Sequence, residues 1–141
     1  MKKYELTTNC KTHLGRTLFQ IKALTSFGDV IAGELGGYIE TENNLSQTDN
    51  AWVAGNAKVY GNAEVAGKAE WLGVGPIGSR GAFTTFFKCK DKEIRVGCGC
   101  FCGTIAEFRA RVAQTHNNNK HAKMYNLAAD MAELQINGQE G

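Results

Sequence analysis

Three cysteines at alternate positions, Cys98, Cys100 and Cys102, with Cys89 a short way upstream, are the residues that first suggest chemistry. Four thiolates are a donor set for structural zinc. Their spacing argues against that use. On an extended strand, residues i and i+2 share a face but lie roughly 6.5–7 Å apart. Tetrahedral zinc with Zn–S bonds of about 2.3 Å needs its sulfurs within about 4 Å of one another. Zinc knuckles solve this with CxxC turns, and the chain contains none. The three cysteines continue the alternation of Ile94 and Val96, which makes them small apolar residues of a strand core. Cys89, Cys98, Cys100 and Cys102 stay as weak metal candidates, because Gly97 and Gly99 could bend the strand. No cofactor is expected.

The second constellation is THNNNKHAKMY, residues 115 to 125. His116, Asn119, Lys120 and His121 cluster where one helix should end and another begin, and a helix start offers free N–H groups and a positive dipole end. Gly78-Ser79-Arg80-Gly81 is a second donor-rich turn. If the two turns meet, Arg80, Lys120 and the amides suit a phosphate or carboxylate. The plainer alternative is that Asn118 or Asn119 simply caps a helix in an exposed loop.

The elements that must position these groups begin with a repeat. Residues 51–71 read AWVAGNAKVYGNAEVAGKAEW. Val53, Val59, Val65 and Trp71 share one phase of six; Gly55, Gly61, Gly67 and Gly73 share another, and Ala57, Ala63 and Ala69 a third. A six-residue period drifts around a helix and would place a glycine in every repeat, at about 1 kcal/mol each. It suits short strands joined by corners, as in a left-handed parallel β-helix. Valines then point inward, alanines fill the corners, and Gly-Asn supplies turns with positive φ. Trp71, in the inward column, should plug the end of the coil. The expected fold is mainly β: a short left-handed parallel β-helix followed by a small α+β (ββαα) C-terminal module. Capping strands cover 1–29, the β-helix 30–75 and the module 76–141.

In the lead-in, Phe19, Ile21 and Ala23 alternate with Gln20 and Lys22 as a half-buried strand. ETENNLSQTDN reads as a loop before the regular sixes. After Pro76, AFTTFFKCK and EIRVGCGC form a hairpin around Asp91-Lys92. Thr104 and Glu107 make a capping box that opens a helix with Ile105, Phe108 and Val112 on one face. A second helix, about Lys120 to Gln135, carries Met124, Leu127, Ala128, Met131 and Leu134 in one stripe, the expected core face.

Seventeen glycines against one proline indicate tight corners in ordered structure rather than a linker. The formal net charge of +2 gives no global signal for nucleic acid, although Arg80 to Lys123 holds nine Lys or Arg against three acids. That surplus is either a solvated face or a surface for an acidic partner. The N-terminus MKKYELTTNC lacks an apolar signal core and no apolar run reaches the roughly 20 residues of a membrane helix. With an odd number of cysteines, the expectation is a cytoplasmic protein with reduced thiols and no membrane contact.

Two enzyme classes use hexapeptide coils, acyltransferases with a catalytic histidine and carbonic anhydrases with three histidine zinc ligands. In both, the histidines lie on or beside the coils. Here Leu14 to Thr115 contains no histidine. No catalytic residue is assigned and a non-enzymatic role is expected, with an acyltransferase-like enzyme or a structural assembly component as alternatives.

GELGGYIETENNLSQ, WVAGNAKVYGNAEVAG and GPIGSRGAFTTFFKCKDKEIRVGCGCFCGTIAEF together resemble hexapeptide-repeat proteins of bacteriophages and prophages, from about Leu18 onward. The resemblance implies the β-helix and a homo-oligomer, a trimer before a dimer. It also implies a phage accessory protein in the host cytoplasm that inhibits a host defence by direct contact with an effector protein. The alternative it implies is a sponge that sequesters a small anionic signalling nucleotide.

Overall fold

Val53, Val59 and Val65, one column of the sixes, are at most 1% exposed, and Ala57 and Ala63 are buried beside them. These positions come from a computed structural model that describes residues 2–67, 70–78, 81–98 and 101–138. The chain divides into two compact units, Met1–Lys68 and Ala69–Gly141. The described residues are mainly β, with two four-stranded sheets, and two helices follow the strands.

The first unit opens with a hairpin of β1 (Tyr4–His13) and β2 (Arg16–Ala23). Leu14 and Gly15 turn it with φ of 52° and 77°, the double positive φ that a two-residue hairpin loop requires. β1 has little apolar alternation because most of it is exposed, which is why its sequence does not announce a strand. β2 pairs antiparallel with β3 (Leu35–Ile39), and β3 pairs parallel with β4 (Lys58–Val59). The parallel partners are Tyr38 with Lys58 and Ile39 with Val59; a separate parallel bridge joins Leu45 to Val65. All three advance the chain by the same 20 residues. Gly55 and Gly61 turn with φ of 64° each, as the Gly-Asn corners of the sixes led one to expect. The described pairings establish a mainly β unit with one parallel step; they stop short of a stack of complete coils.

That step is close. The Gly37 amide donates to the Val53 carbonyl at 2.7 Å, and Tyr38 to Ala57 at 3.0 Å. A methyl on Gly36 would lie 2.6 Å from the Val53 oxygen and 2.7 Å from the Trp52 ring. The backbone atom cannot rotate away as a side chain would. Gly36→Ala should therefore cost about 2 kcal/mol through overpacking, readable as a lower urea midpoint with unchanged slope. An unchanged midpoint would contradict the tight step.

The second unit corrects three expectations. Trp71–Ile77 is not the last face of the sixes but β5, the first strand of an antiparallel meander. Trp71 and Leu72 pair with Phe87 and Phe86 of β6 (Ala82–Lys88). The glycines that mimic the repeat have a different use here: a methyl on Gly73 would lie 2.6 Å from the Phe83 ring. β6 pairs with β7 (Ile94–Cys98) around the expected turn, and β8 (Phe101–Thr104) adds a fourth strand. The module is thus ββββαα rather than ββαα.

The capping box is present as expected. Thr104 Oγ1 accepts from the Glu107 amide at 3.2 Å and Glu107 Oε1 accepts from the Thr104 amide at 2.9 Å. It opens α1 (Ile105–His116), which buries Ile105, Phe108 and Val112. The third correction concerns α2 (Lys120–Asn137). Its buried face is Ala122, Tyr125, Ala128, Ala129, Ala132 and Ile136, while Met124, Leu127, Met131 and Leu134 are exposed. α2 packs on β5 and β6, and alanines let the helix approach the sheet, with Tyr125 and Ile136 filling the ends. Hydrophobic weight favoured the larger side chains; close approach selected the smaller ones.

Candidate functional site

The helix corner forms largely as its residues suggest. His116 ends α1 and Lys120 begins α2. The two histidine rings lie 5.5 Å apart, and His116 stacks on Tyr125 at 5.8 Å with 27° between planes. The Nδ1 of His121 is buried and has no hydrogen-bond partner among the described residues. Asn119 Oδ1 accepts from the Ala122 amide at 3.0 Å, so this side chain serves as the N-cap of α2. Its oxygen is thereby committed to the helix, as the plainer of the two readings held.

The described part of the second donor-rich turn lies against Tyr125. Gly78 has φ of 82°, its carbonyl accepts from the Gly81 amide at 3.2 Å, and any Cβ there would overlap the Tyr125 hydroxyl. Tyr125 therefore joins the Gly78 turn to His116, a link that sequence reading missed because Tyr125 looked like one more helix residue. Arg80 and Ser79 lie outside the described residues.

The cysteines part company. β7 ends at Cys98 and β8 begins at Phe101, which sit opposite one another, with Cys102 opposite Gly97. The chain thus reverses within the CGCFC run instead of continuing as one strand, and the expectation of a single buried cysteine face fails. Cys89 is buried, and desolvation pushes its thiol up to about 11. Cys98 is half-buried and accepts from Thr84 Oγ1 at 3.2 Å, and Cys102 is exposed. Cys100 lies outside the described residues. Among the described residues, no three His, Cys, Asp or Glu side chains group closely enough to hold a metal ion.

A basic face on the first unit was not anticipated. Lys11 and His13 of β1, Arg16 of β2, Tyr38 of β3, Lys58 of β4 and the following Tyr60 meet across the sheet. The register sets His13 against Arg16 and Tyr38 against Lys58. Lys11 Nζ sits 4.4 Å from the Tyr38 centroid and the Arg16 guanidinium 5.6 Å from that of Tyr60. The His13 ring meets Tyr60 edge-on at 5.3 Å. Arg16 also binds Glu40 at 2.8 Å. Burial first, and then Lys11, lowers the pKa of Lys58; burial and then Lys58 lower that of His13. The basic groups feel each other's charge. Both tyrosine rings are buried beneath them, so the face offers cations rather than stacking platforms. The only advance signal was the alternation of Lys11 and His13, which became meaningful once β1 was known to be a strand.

Two clefts lie elsewhere in the second unit. One of about 400 Å³ includes Phe101, Cys102, Glu107 and Arg111, whose guanidinium lies 5.3 Å from the Phe101 centroid. The other, of about 430 Å³, includes Lys92, Arg109 and Glu133, a mixed set that favours neither sign of ligand. No helix among the described residues is long and apolar enough to cross a membrane. No family model matches the chain, and no curated protein matches it.

Proposed function

We propose that this is a non-enzymatic binding protein of the phage accessory type. It inhibits a host defence by laying the face of Lys11, His13, Arg16 and Lys58 against an acidic surface of an effector protein. The observation that carries this reading is the gathering of four basic side chains from β1, β2 and β4, with Lys11 and Arg16 over the covered rings of Tyr38 and Tyr60. Cations braced on buried rings lose little freedom on binding. A face of separate basic side chains drawn from three strands suits a macromolecule better than a small ligand. The scaffold in this proposal is a short left-handed β-helix. Its support is the constant 20-residue advance of the parallel pairs, close to the 18 residues that three sixes would supply.

A second reading rests on its own observation. Tyr125 joins the Gly78 turn to His116, whose ring lies 5.5 Å from that of His121, next in the chain to Lys120. That corner would hold a signalling nucleotide by its phosphates. One set of measurements separates the two. Fluorescence anisotropy with labelled poly-glutamate should show binding that weakens as salt rises, and Lys11→Glu with Lys58→Glu should weaken it at least tenfold. The milder Lys11→Gln should show a smaller loss if the paired reversal perturbs folding. Unaltered binding in both variants would sink the first reading. Thermal-shift screening against cyclic nucleotides and ADP-ribose derivatives addresses the second. A rise of several degrees that disappears in Lys120→Ala would favour sequestration.

A further inference from the structure

The exposed row on α2 has a period of its own. Met124, Leu127, Met131 and Leu134 are 38%, 62%, 54% and 75% exposed. Their spacing of three, four and three is the a/d spacing of a helix–helix seam over two heptads. The row lies apart from the face that α2 turns to its own sheet, and the helix spans 18 residues. At 1.5 Å per residue that is about 27 Å, long enough for four layers of contact.

We infer that α2 is a self-association element: two copies of this chain pair along this row with their α2 helices antiparallel. The charges flanking the row identify the occupant. Its N-terminal end carries Lys120 and Lys123, and neither has an ion-pair partner among the described residues. Its C-terminal half carries Asp130 and Glu133, both held by the single guanidinium of Arg109 at 2.8 and 2.7 Å. One arginine against two carboxylates leaves that half with a negative charge to spare. The helix is thus positive at one end, negative towards the other, and apolar between them. An antiparallel copy complements all three.

With the two-fold axis midway between Leu127 and Met131, Met124 meets the partner's Leu134 and Leu127 meets the partner's Met131. Lys123 then comes within two residues, about 3 Å along the axis, of the level of the partner's Glu133, on the same flank of the seam. The Asp130 side chains nearest the axis each keep their own Arg109. A parallel pair would instead set Lys123 beside the partner's Lys123, and the acidic halves side by side. The seam is a small interface, below the size of most stable complexes, so the dimer should dissociate on dilution. This inference uses the second unit alone and is independent of the basic face on the first.

Sedimentation equilibrium of the full chain from low to high micromolar concentration tests it. The wild type should pass from the mass of one chain to that of two, with a weaker transition at high salt. Leu127→Glu and, separately, Leu134→Glu should remain at the mass of one chain while their thermal melts match the wild type. Leu134 is the more exposed position and gives a clean result if Leu127→Glu unfolds. Orientation is read by disulfide trapping in a background of Cys10→Ser, Cys98→Ser, Cys100→Ser and Cys102→Ser, which leaves only the buried Cys89. A mixture of Met124→Cys and Leu134→Cys chains should cross-link, and Met124→Cys chains alone should not. A wild type of single-chain mass throughout, a trimer, a folded Leu134→Glu variant that still dimerises, or a homotypic Met124→Cys cross-link would each overturn the proposal.

Discussion

Replacing Asn44 with leucine is expected to lower the stability of the Met1–Lys68 unit by about 4 kcal/mol. Asn44 is 1% exposed. Its Oδ1 accepts from the amides of Glu40 at 3.1 Å and Thr41 at 3.0 Å. Its Nδ2 donates to the carbonyls of Gly61 and Ala63, both at 3.1 Å. One side chain therefore ties the end of β3 to the Gly61 corner of the sixes, across the parallel step. Leucine matches its bulk but takes the side-chain partner from the Thr41 amide and from the Gly61 and Ala63 carbonyls, while the Glu40 amide keeps the Val59 carbonyl at 3.2 Å. Each buried orphan costs about 1–3 kcal/mol, and those that reach water cost less, so the sum falls near 4. A unit of this size has only about 5–15 kcal/mol of stability in all. Chemical unfolding should show a large part of that margin gone, and a loss under about 1 kcal/mol would mean that Asn44 is not the clamp its geometry describes.

A loss of comparable size is expected in the second unit for Phe108→Ala, again about 4 kcal/mol. Phe108 is 2% exposed and meets three rings: Phe86 at 5.8 Å, Phe101 at 5.8 Å and Tyr125 at 5.6 Å. It is the point where the sheet, α1 and α2 come together. Removing the ring forfeits its burial and leaves a cavity that three aromatic neighbours cannot close without moving. Because Tyr125 also stacks on His116, near-ultraviolet circular dichroism should change with the melting temperature. Phe108→Leu, which fills much of the space, should cost less than half as much. Equal losses in the two variants, or a melting point for Phe108→Ala near that of the wild type, would show that the ring cluster is not the keystone of this core.

The local rules were legible wherever one residue decides the backbone around it. Thr104 and Glu107 announced the start of α1, and Gly55 and Gly61 announced their corners. Val53, Val59 and Val65 announced an inward column. Asn44 was hidden in a stretch that reads as a polar loop, because its partners at Gly61 and Ala63 are close only in space. The basic face was hidden for the same reason, since Lys11, Arg16 and Lys58 come from three strands. Trp71 and Gly73 fell in phase with the sixes by residue type, yet their pairing with β6 placed them in another sheet. The α2 error is the most instructive. Two stripes on one helix were both apolar enough to be buried, and periodicity cannot choose between them.

By itself, the sequence determined the mainly β character, the glycine corners, the inward valines and the two capped helices, because each depends on dihedral preference or burial within a few neighbouring residues. Only the tertiary structure decided where β5 pairs, which stripe of α2 faces the sheet, and that the CGCFC run turns back on itself. It also decided which basic side chains stand together. Those outcomes depend on how closely distant surfaces can pack and on which unpaired groups meet across strands, and neither is encoded at any one position along the chain.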